Sequence, residues 1–565
     1  MKKLTRPTRK LPIVREGLGI KTLPEMVEMV GETYEENIVY KMPRNNQLYT
    51  LKYWQLLEYV KRIGRYLKEE LGLGKGDHIA IIGENRPEWA ISYFSVPWIG
   101  GISVPLDARA SFDTHKFIID FAEVKAVIAS GKYLSSMNEI KEEVPHLKHV
   151  ISMEDFESIF NKYAKGVERE NVKLDDLLEI LFTSGTTGDP KGVMLTHRNI
   201  MSNVDDIYKI IDIGPDDVSF SVLPIHHSYE CTVGQVATVY SGVQIFYARS
   251  LNPREMMADL KAARPTFWLT VPLLLEKMYV KIRKQLEGQK GLKGLLTKVM
   301  PKKMIGKKVK EALGFDRLRF VVSGGAALPR WVSKGMEELG FPILQGYGLS
   351  ETSPLISVNP PYDKIKNESV GLVIPSDEVE IRDVDSEGNG EIVVRGPNVM
   401  KGYYKNETAT RETFTTDGWL MTGDIGYFDE EGYLYITGRK KFVIVTKGGK
   451  NVFPEEIEEK LTKSPFIEEA MVFSPDDEQI QALIYPDLDE VARALEKMGK
   501  EFNDENVWQL IKQEVDKVNR HLEAYKRIRH FAIRFEEFPK TTTRKIKRHL
   551  FRGLRLTPDI KVMKG

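Results

Sequence analysis

The sequence is poorest in cysteine, with Cys231 alone among 565 residues. A single thiol has no partner in the chain, which excludes an internal disulfide framework and a zinc site built from several thiolates. A reducing cytoplasm is the expected setting. Net charge is scarce as well: 82 Lys plus Arg stand against 81 Asp plus Glu, a formal +1 at pH 7. That balance provides no long-range field toward nucleic acid, which is not expected as a partner. Long apolar runs are also missing. The longest uncharged stretch, residues 90–106, carries Pro97, Gly100, Gly101 and Pro105 and is shorter than the ~20 residues that a bilayer-spanning helix needs. A buried helix turning into a core strand is expected there, and nothing that spans a membrane. The basic start contains Pro7 and Pro12 and is followed by no apolar stretch of signal-peptide length; it reads as a mobile tail over residues 1–19.

What is present is organised. At ~100–200 residues per domain the chain holds three to five compact units. Through the first two thirds, apolar runs (HIAIIG, ISVPL, AVIAS, VSFSVLP, VQIFY, TFWLTVP, RFVVSGG, FPILQGYG) alternate with amphipathic stretches such as residues 53–71. Alternation of this kind predicts an α/β body of parallel sheets with helices on both faces. One doubly wound sheet would be too wide, so two are expected. From Asp377 the texture changes to short alternating strands with glycine-rich turns, VEIRDVDSEGNGEIVVRG and GDIGYFDEEGYLYITGR, which predicts a small distorted β-barrel or antiparallel sheet. Beyond Arg439 a compact α+β unit is expected, dividing the chain into an N-terminal domain of residues 1–439 and a C-terminal domain of residues 440–565.

The most informative segment is a loop. An apolar run from Leu177 to Phe182 leads into Thr183, Ser184, Gly185, Thr186, Thr187, Gly188, Asp189, Pro190, Lys191 and Gly192. Small residues let backbone N–H groups approach phosphate oxygens, the hydroxyls add donors, and Lys191 supplies charge. A Walker loop is excluded, because that pattern needs Gly at 190 and Ser or Thr at 192.

The ten-residue string resembles the signature of the adenylate-forming superfamily, which includes acyl-CoA synthetases, amino-acid adenylation domains and beetle luciferases. Further motifs follow in that family's order, from about residue 40 to residue 550. Ser323-Gly324-Gly325-Ala326 resembles its second adenine-side loop. Gly346-Tyr347-Gly348-Leu349-Ser350-Glu351-Thr352 resembles its G-Y-G-x-[ST]-E-[ST]. The resemblance implies that Tyr347 stacks on adenine, that Thr352 offers a hydroxyl to the α-phosphate, and that Glu351, with Thr183, holds phosphate-bound Mg²⁺. Thr422-Gly423-Asp424 and Gly438-Arg439-Lys440-Lys441 match its T-G-D and G-R-x-[DK], which implies Asp424 on the ribose, Arg439 on the nucleotide and Lys441 at a hinge. Gly448 and Gly449, ahead of Phe453-Pro454-Glu455, resemble its thiol-channel motif. Phe538-Pro539-Lys540-Thr541-Thr542-Thr543-Arg544-Lys545-Ile546 resembles P-K-T-x-x-G-K-[IV], making Lys545 the counterpart of the catalytic lysine, with Lys540 as competitor. Arg544 replaces the usual Gly, so an ordinary backbone conformation is required there.

The resemblance implies a two-step ligase that uses ATP, Mg²⁺ and CoA: a carboxylate becomes an acyl-adenylate with loss of pyrophosphate, and a thiol then displaces AMP. Leu223-Pro224-Ile225-His226-His227-Ser228-Tyr229-Glu230 resembles the L-P-L-x-H-x-[FY]-E of long-chain fatty acyl-CoA synthetases, which puts His227 beside the acyl carboxylate and His226 in packing. Glu351, Lys191, His227 and Lys545 are the expected catalytic set, and a medium to long fatty acid the expected substrate. An adenylation module for amino acids would normally precede a carrier domain, and only a short tail follows the last motif. An adenylate former serving another acceptor, such as an acyl carrier protein, is the alternative, and a catalytically silent nucleotide binder is a third reading. The basic stretch from Lys281 to Lys310 is a candidate for peripheral membrane contact. Oligomeric state is not legible; a homodimer is one option.

Overall fold

The computed structural model describes residues 9–45, 47–183, 190–287, 301–446, 450–476, 479–540, 546–557 and 559–563. Each of the eight apolar runs contains a strand, and the strands fall into two sheets. In the seven-stranded sheet the order is Gly402–Tyr403, Lys191–Thr196, Leu177–Thr183, Ile102–Pro105, His78–Ile82, Ala126–Ala129 and His149–Ser152. Its central strands run parallel. Every residue of Ile102–Pro105 and Ala126–Ala129 is buried, because helices cover both faces of such a sheet and leave no side for polar alternation.

The nine-stranded sheet has a parallel centre made of Ile343–Gly348, Phe320–Ser323, Phe267–Thr270, Val218–Ser221 and Gln244–Tyr247. Antiparallel strands finish both edges. Helix Pro87–Trp98 contacts strands of both sheets and the helices Leu23–Thr33 and Tyr53–Arg65. All twelve of its residues are buried, which explains why residues 90–106 carry no charge: a helix between two sheets has no solvated face.

Within residues 378–439 four strands form an open antiparallel sheet, Glu378–Arg382, Gly390–Arg395, Leu420–Phe428 and Leu434–Arg439. From Ile444 onward the chain buries a core of its own around Ile457, Ile484, Val491 and Ile511. There, the sheet Ile467–Phe473, Ile480–Pro486, Ile528–Arg534 and Val562–Met563 packs with helices Pro454–Leu461 and Asp504–Arg520. Among the described residues no helix is long and apolar enough to cross a membrane.

One expectation is corrected. Residues 9–19 are not a loose tail: Leu11 is buried, its N–H donates to the Val373 carbonyl, and Val14 N–H donates to Lys209 O at 2.8 Å. Proline content and basicity suggested mobility; a single buried leucine and backbone pairing to distant segments pin the strap instead.

Candidate active site

A cavity of about 1720 Å³ lies where the parallel strands of the nine-stranded sheet end and the other units converge. The C-terminal edge of a parallel sheet is where loops are free to carry polar groups. Thr183 and Lys191 reach it from the seven-stranded sheet; Thr422, Gly423 and Arg439 from the antiparallel sheet; Lys441, Lys547, His549 and Arg552 from the chain beyond that sheet.

At the polar end, Asp424 is buried and accepts a hydrogen bond from Tyr347 Oη at 2.7 Å while pairing with Arg439 Nε at 2.7 Å. Burial and the Asp424 charge push the Tyr347 phenol well above its ordinary pKa, so it stays a donor. Tyr403 Oη donates to Glu351 Oε1 at 2.8 Å, and Lys191 Nζ lies 5.1 Å above the Tyr403 ring. The Lys441 ammonium is pushed below its ordinary value, by desolvation first and then by the neighbouring charges of Arg552 and Lys191. Cations from three parts of the chain thus face one space, the electrostatic preparation for a polyphosphate. Among the described residues no group of three or more His, Cys, Asp or Glu side chains could hold a metal ion by itself. Glu351 and Thr183, both on the cavity wall, are a hard oxygen set that suits an ion completing its shell with phosphate and water.

The loop Leu223–Ser228 brings two histidines to the wall. His227 Nδ1 accepts from Tyr229 N–H at 3.3 Å, which assigns the proton of a neutral ring to Nε2. His226 lines the cavity too, with Nε2 3.4 Å from Asp107 Oδ1, and burial holds its pKa down to about 4. Asn85, which the sequence did not single out, grips this loop from the other sheet: Nδ2 donates to Leu223 O and to Ser221 Oγ, and Oδ1 accepts from Ile225 N–H at 3.2 Å. A half-buried asparagine with three partners carries no motif of its own, so only the loop it holds could have suggested it.

The glycine loops have separate reasons. Gly325 sits at φ +82°, where other residues are strained, whereas a Cβ on Gly348 would lie 1.7 Å from the Pro354 carbonyl oxygen. Gly324, Gly325, Gly346, Tyr347 and Gly348 line the cavity; Ala326 is exposed away from it. Thr352 differs from expectation. It is fully buried, its hydroxyl bonds the Leu349 and Pro354 carbonyls, and Ser350 lines the cavity in its place.

Ser184, Gly185, Thr186, Thr187, Gly188, Gly448, Gly449 and Lys545 lie outside the described residues. Their neighbours Thr183, Lys191, Ile546 and Lys547 line the cavity, whereas Lys540 does not; its ammonium pairs with Glu469 and Glu537.

The cavity's other end is apolar. Phe267 and Leu269 on one strand and Phe320 and Val322 on the next are register partners, and with Ile207 and Ile211 they line an arm along the sheet. From Gly324 back to Phe320 the arm runs ~13 Å at the strand rise.

Comparison with known proteins agrees with this geometry. Residues 29–404 match the family model described as AMP-binding enzyme, and residues 441–554 that of the AMP-binding enzyme C-terminal domain. The chain belongs to the AMP-binding enzyme family. It is 32% identical over 448 residues to long chain acyl-CoA synthetase 6, peroxisomal, of Arabidopsis thaliana, covering 71% of this chain and 63% of that protein. It is also 32% identical over 460 residues to long-chain-fatty-acid–CoA ligase 6 of Mus musculus, 72% of this chain and 65% of the relative. The match thus spans less than two thirds of these relatives' length. ATP-bound MatB from Rhodopseudomonas palustris shares the fold, with a TM-score of 0.76 and 24% identity over 94% of this chain and 98% of that one.

Proposed function

We propose that the protein is an ATP-dependent fatty acid–CoA ligase forming AMP. The observation that carries the reading is one continuous cavity with a cationic, carboxylate-bearing end and an apolar arm. The arm takes an alkyl chain, and the bound acid's carboxylate meets the α-phosphorus of ATP near His227. Bond formation there expels pyrophosphate, and Lys191 and Lys545 neutralise the charge that spreads over the phosphoryl oxygens. Magnesium, held by Glu351 and Thr183, would add charge neutralisation at the phosphates. Asp424 and Arg439 fix the nucleoside. The CoA thiolate then attacks the acyl carbonyl and AMP leaves as the mixed anhydride breaks.

In this reading the chain divides into residues 1–439 and 440–565, and the second unit turns about Lys441 between the half-reactions, presenting Lys545 first and Gly448 and Gly449 next. Contact with an anionic membrane through the stretch from Lys281 to Lys310 belongs to the reading; of its described residues, Lys284 pairs with Glu490 and Lys302 with Glu338, so the exposed Lys281, Lys303, Lys307 and Lys308 would carry it. Sedimentation with anionic vesicles tests that part.

The central test is acid-dependent exchange of labelled pyrophosphate into ATP, across saturated acids from short to very long. Exchange with medium or long acids, followed by CoA-dependent thioester formation, is expected. Silence with every acid overturns the proposal; exchange without CoA-dependent turnover assigns a different acceptor.

A further inference from the structure

The floor of the apolar arm is a single layer of chain. Ile211 and Ile213 line the arm, while the alternate residues Asp212 and Gly214 line a second, polar cavity of about 530 Å³. The same alternation holds next door. Phe267 and Phe320 face the arm, and the residues just before them, Thr266 and Arg319, face the outer cavity. At the two strands alternate side chains point to opposite faces, and in the turn 211–214, where Ile213 N–H returns to Ile211 O, successive residues likewise line opposite spaces, so one backbone thickness separates the two.

This partition begins where the helix His197–Ile210 stops. The helix ends without a glycine cap: the chain leaves at Ile211 in extended conformation, with Ile211 N–H returning to Ile207 O. The carbonyls that remain at such an end need donors from elsewhere. The N-terminal strap supplies them. Val14 N–H takes Lys209 O, and Arg15 Nε takes Tyr208 O at 2.5 Å. The same guanidinium reaches past the helix end to Ile213 O, 2.8 Å from Nη1, and lies over the Tyr208 ring at 3.4 Å. A positive charge at a helix C-terminus is favourable in its own right. From the other side Arg319 Nη2 donates to Asp212 O, and Asp212 N–H donates to Tyr362 Oη at 2.9 Å.

We propose that Arg15 is a positioning residue for acyl-length selection: by clamping Tyr208 O and Ile213 O together it holds the partition shut and sets how long an alkyl chain the arm accepts. The inference rests on the fatty-acid reading of the arm. Nothing in it requires Arg15 to touch substrate. Without the clamp the turn 211–214 is free to give way, the arm communicates with the outer cavity, and longer chains gain room.

The experiment measures kcat/KM for a ladder of saturated acids with wild type, Arg15→Ala, Arg15→Lys and Ile211→Phe. Arg15→Ala is expected to raise the ratio of long-acid to short-acid kcat/KM by about tenfold, the scale on which apolar pockets sort neighbouring chain lengths. The change should sit in the KM for the acid and leave the KM for ATP alone. Arg15→Lys, which keeps the charge but meets only one of the two carbonyls, should fall between. Ile211→Phe, with the strap intact, should favour shorter acids and carries the test if Arg15→Ala does not fold. A uniform fall for all acids, an unchanged profile in a folded Arg15→Ala, or an unchanged profile in Ile211→Phe overturns the inference while leaving the ligase reading standing. A wild type silent with every acid removes the ligase reading and this inference with it.

Discussion

The two ends of the cavity are built by opposite means. The polar end is assembled from loops and strand ends of four different units, and charge governs it: Asp424 takes hydrogen bonds from Tyr347 and Arg439, Tyr403 donates to Glu351, and Lys441 is set against the like charges of Arg552 and Lys191, a repulsion that a bound anion relieves. The apolar end comes from the regular faces of two strands and a helix, with Phe267 and Phe320 stacked at 5.7 Å; packing shapes its walls, while backbone hydrogen bonds from Arg15 and Arg319 tie down its floor. A site held by charge fails when one donor is lost. One held by shape shifts its preference instead.

If that contrast holds, the largest effect belongs to the lysine proposed to neutralise the developing phosphoryl charge. Lys545→Ala should lower acid-dependent pyrophosphate exchange by about 10²–10³, the ~2.7–4 kcal/mol of one lost donor to developing charge, yet retain thioester formation from supplied acyl-adenylate. Equal loss of both activities would mean that the lysine shapes the fold rather than the first step. Next comes Asp424→Asn, which removes the charge that orients Arg439; hydrogen bonds to charged groups are worth ~1.5–3 kcal/mol, so the KM for ATP should rise about tenfold or more, with the acyl-length profile unchanged. Asn85→Ala joins the two ends. It orphans the Ile225 N–H and the Leu223 carbonyl and should cost about 1–3 kcal/mol in denaturant unfolding, with a fall in kcat as His227 loosens; a normal kcat would detach Asn85 from the site.

The same contrast governs what could be read from the chain. The polar end was legible because phosphate chemistry demands particular residue types at fixed spacing: Thr183 and Lys191 flanking the loop, Glu351 after a glycine turn, Asp424 and Arg439 paired across strands that align Asp424 with Arg439. The two sheets were legible too, since runs such as AVIAS have no polar alternation. What stayed hidden was whatever depends on partners remote in sequence. Thr352 and Ser350 are both hydroxyls two positions apart, and only the turn onto Pro354 decides which one is consumed by backbone. Arg15 looked like part of a loose basic tail because nothing local announces the end of a helix almost two hundred residues away. Apolar residues at the arm are core residues by every sequence criterion, and no pattern separates those facing a void from those facing each other.

The smallest effect is a pH dependence that tests whether the ground beneath the histidine loop is neutral. Glu230 is buried and accepts from Ser221 Oγ at 2.5 Å, and burial pushes its pKa from 4.5 up to about 7; Glu179, which accepts from Tyr93 Oη at 2.8 Å, is likewise pushed up to about 7. For each, the folded state holds its proton longer than the unfolded chain, so the stability it lends is fully present below pH 4.5 and is lost as pH climbs through about 7. His226 and His197, both held down to about 4 by burial, act with the opposite sign, since the unfolded chain takes up their protons as pH falls below 6.5. Over pH 4.5–6.5 the two carboxyls and the two imidazoles therefore oppose one another, and these four groups leave wild-type stability nearly level. Glu230→Gln keeps an acceptor for Ser221 but cannot ionise, so it should gain stability relative to wild type as pH rises across that window, by up to ~1.4 kcal/mol per pH unit for the one proton involved. Denaturant midpoints of the two proteins at pH 5, 6 and 7 measure it. A constant difference between them would show that Glu230 is already ionised in the fold, and that the apolar side of the site carries a charge after all.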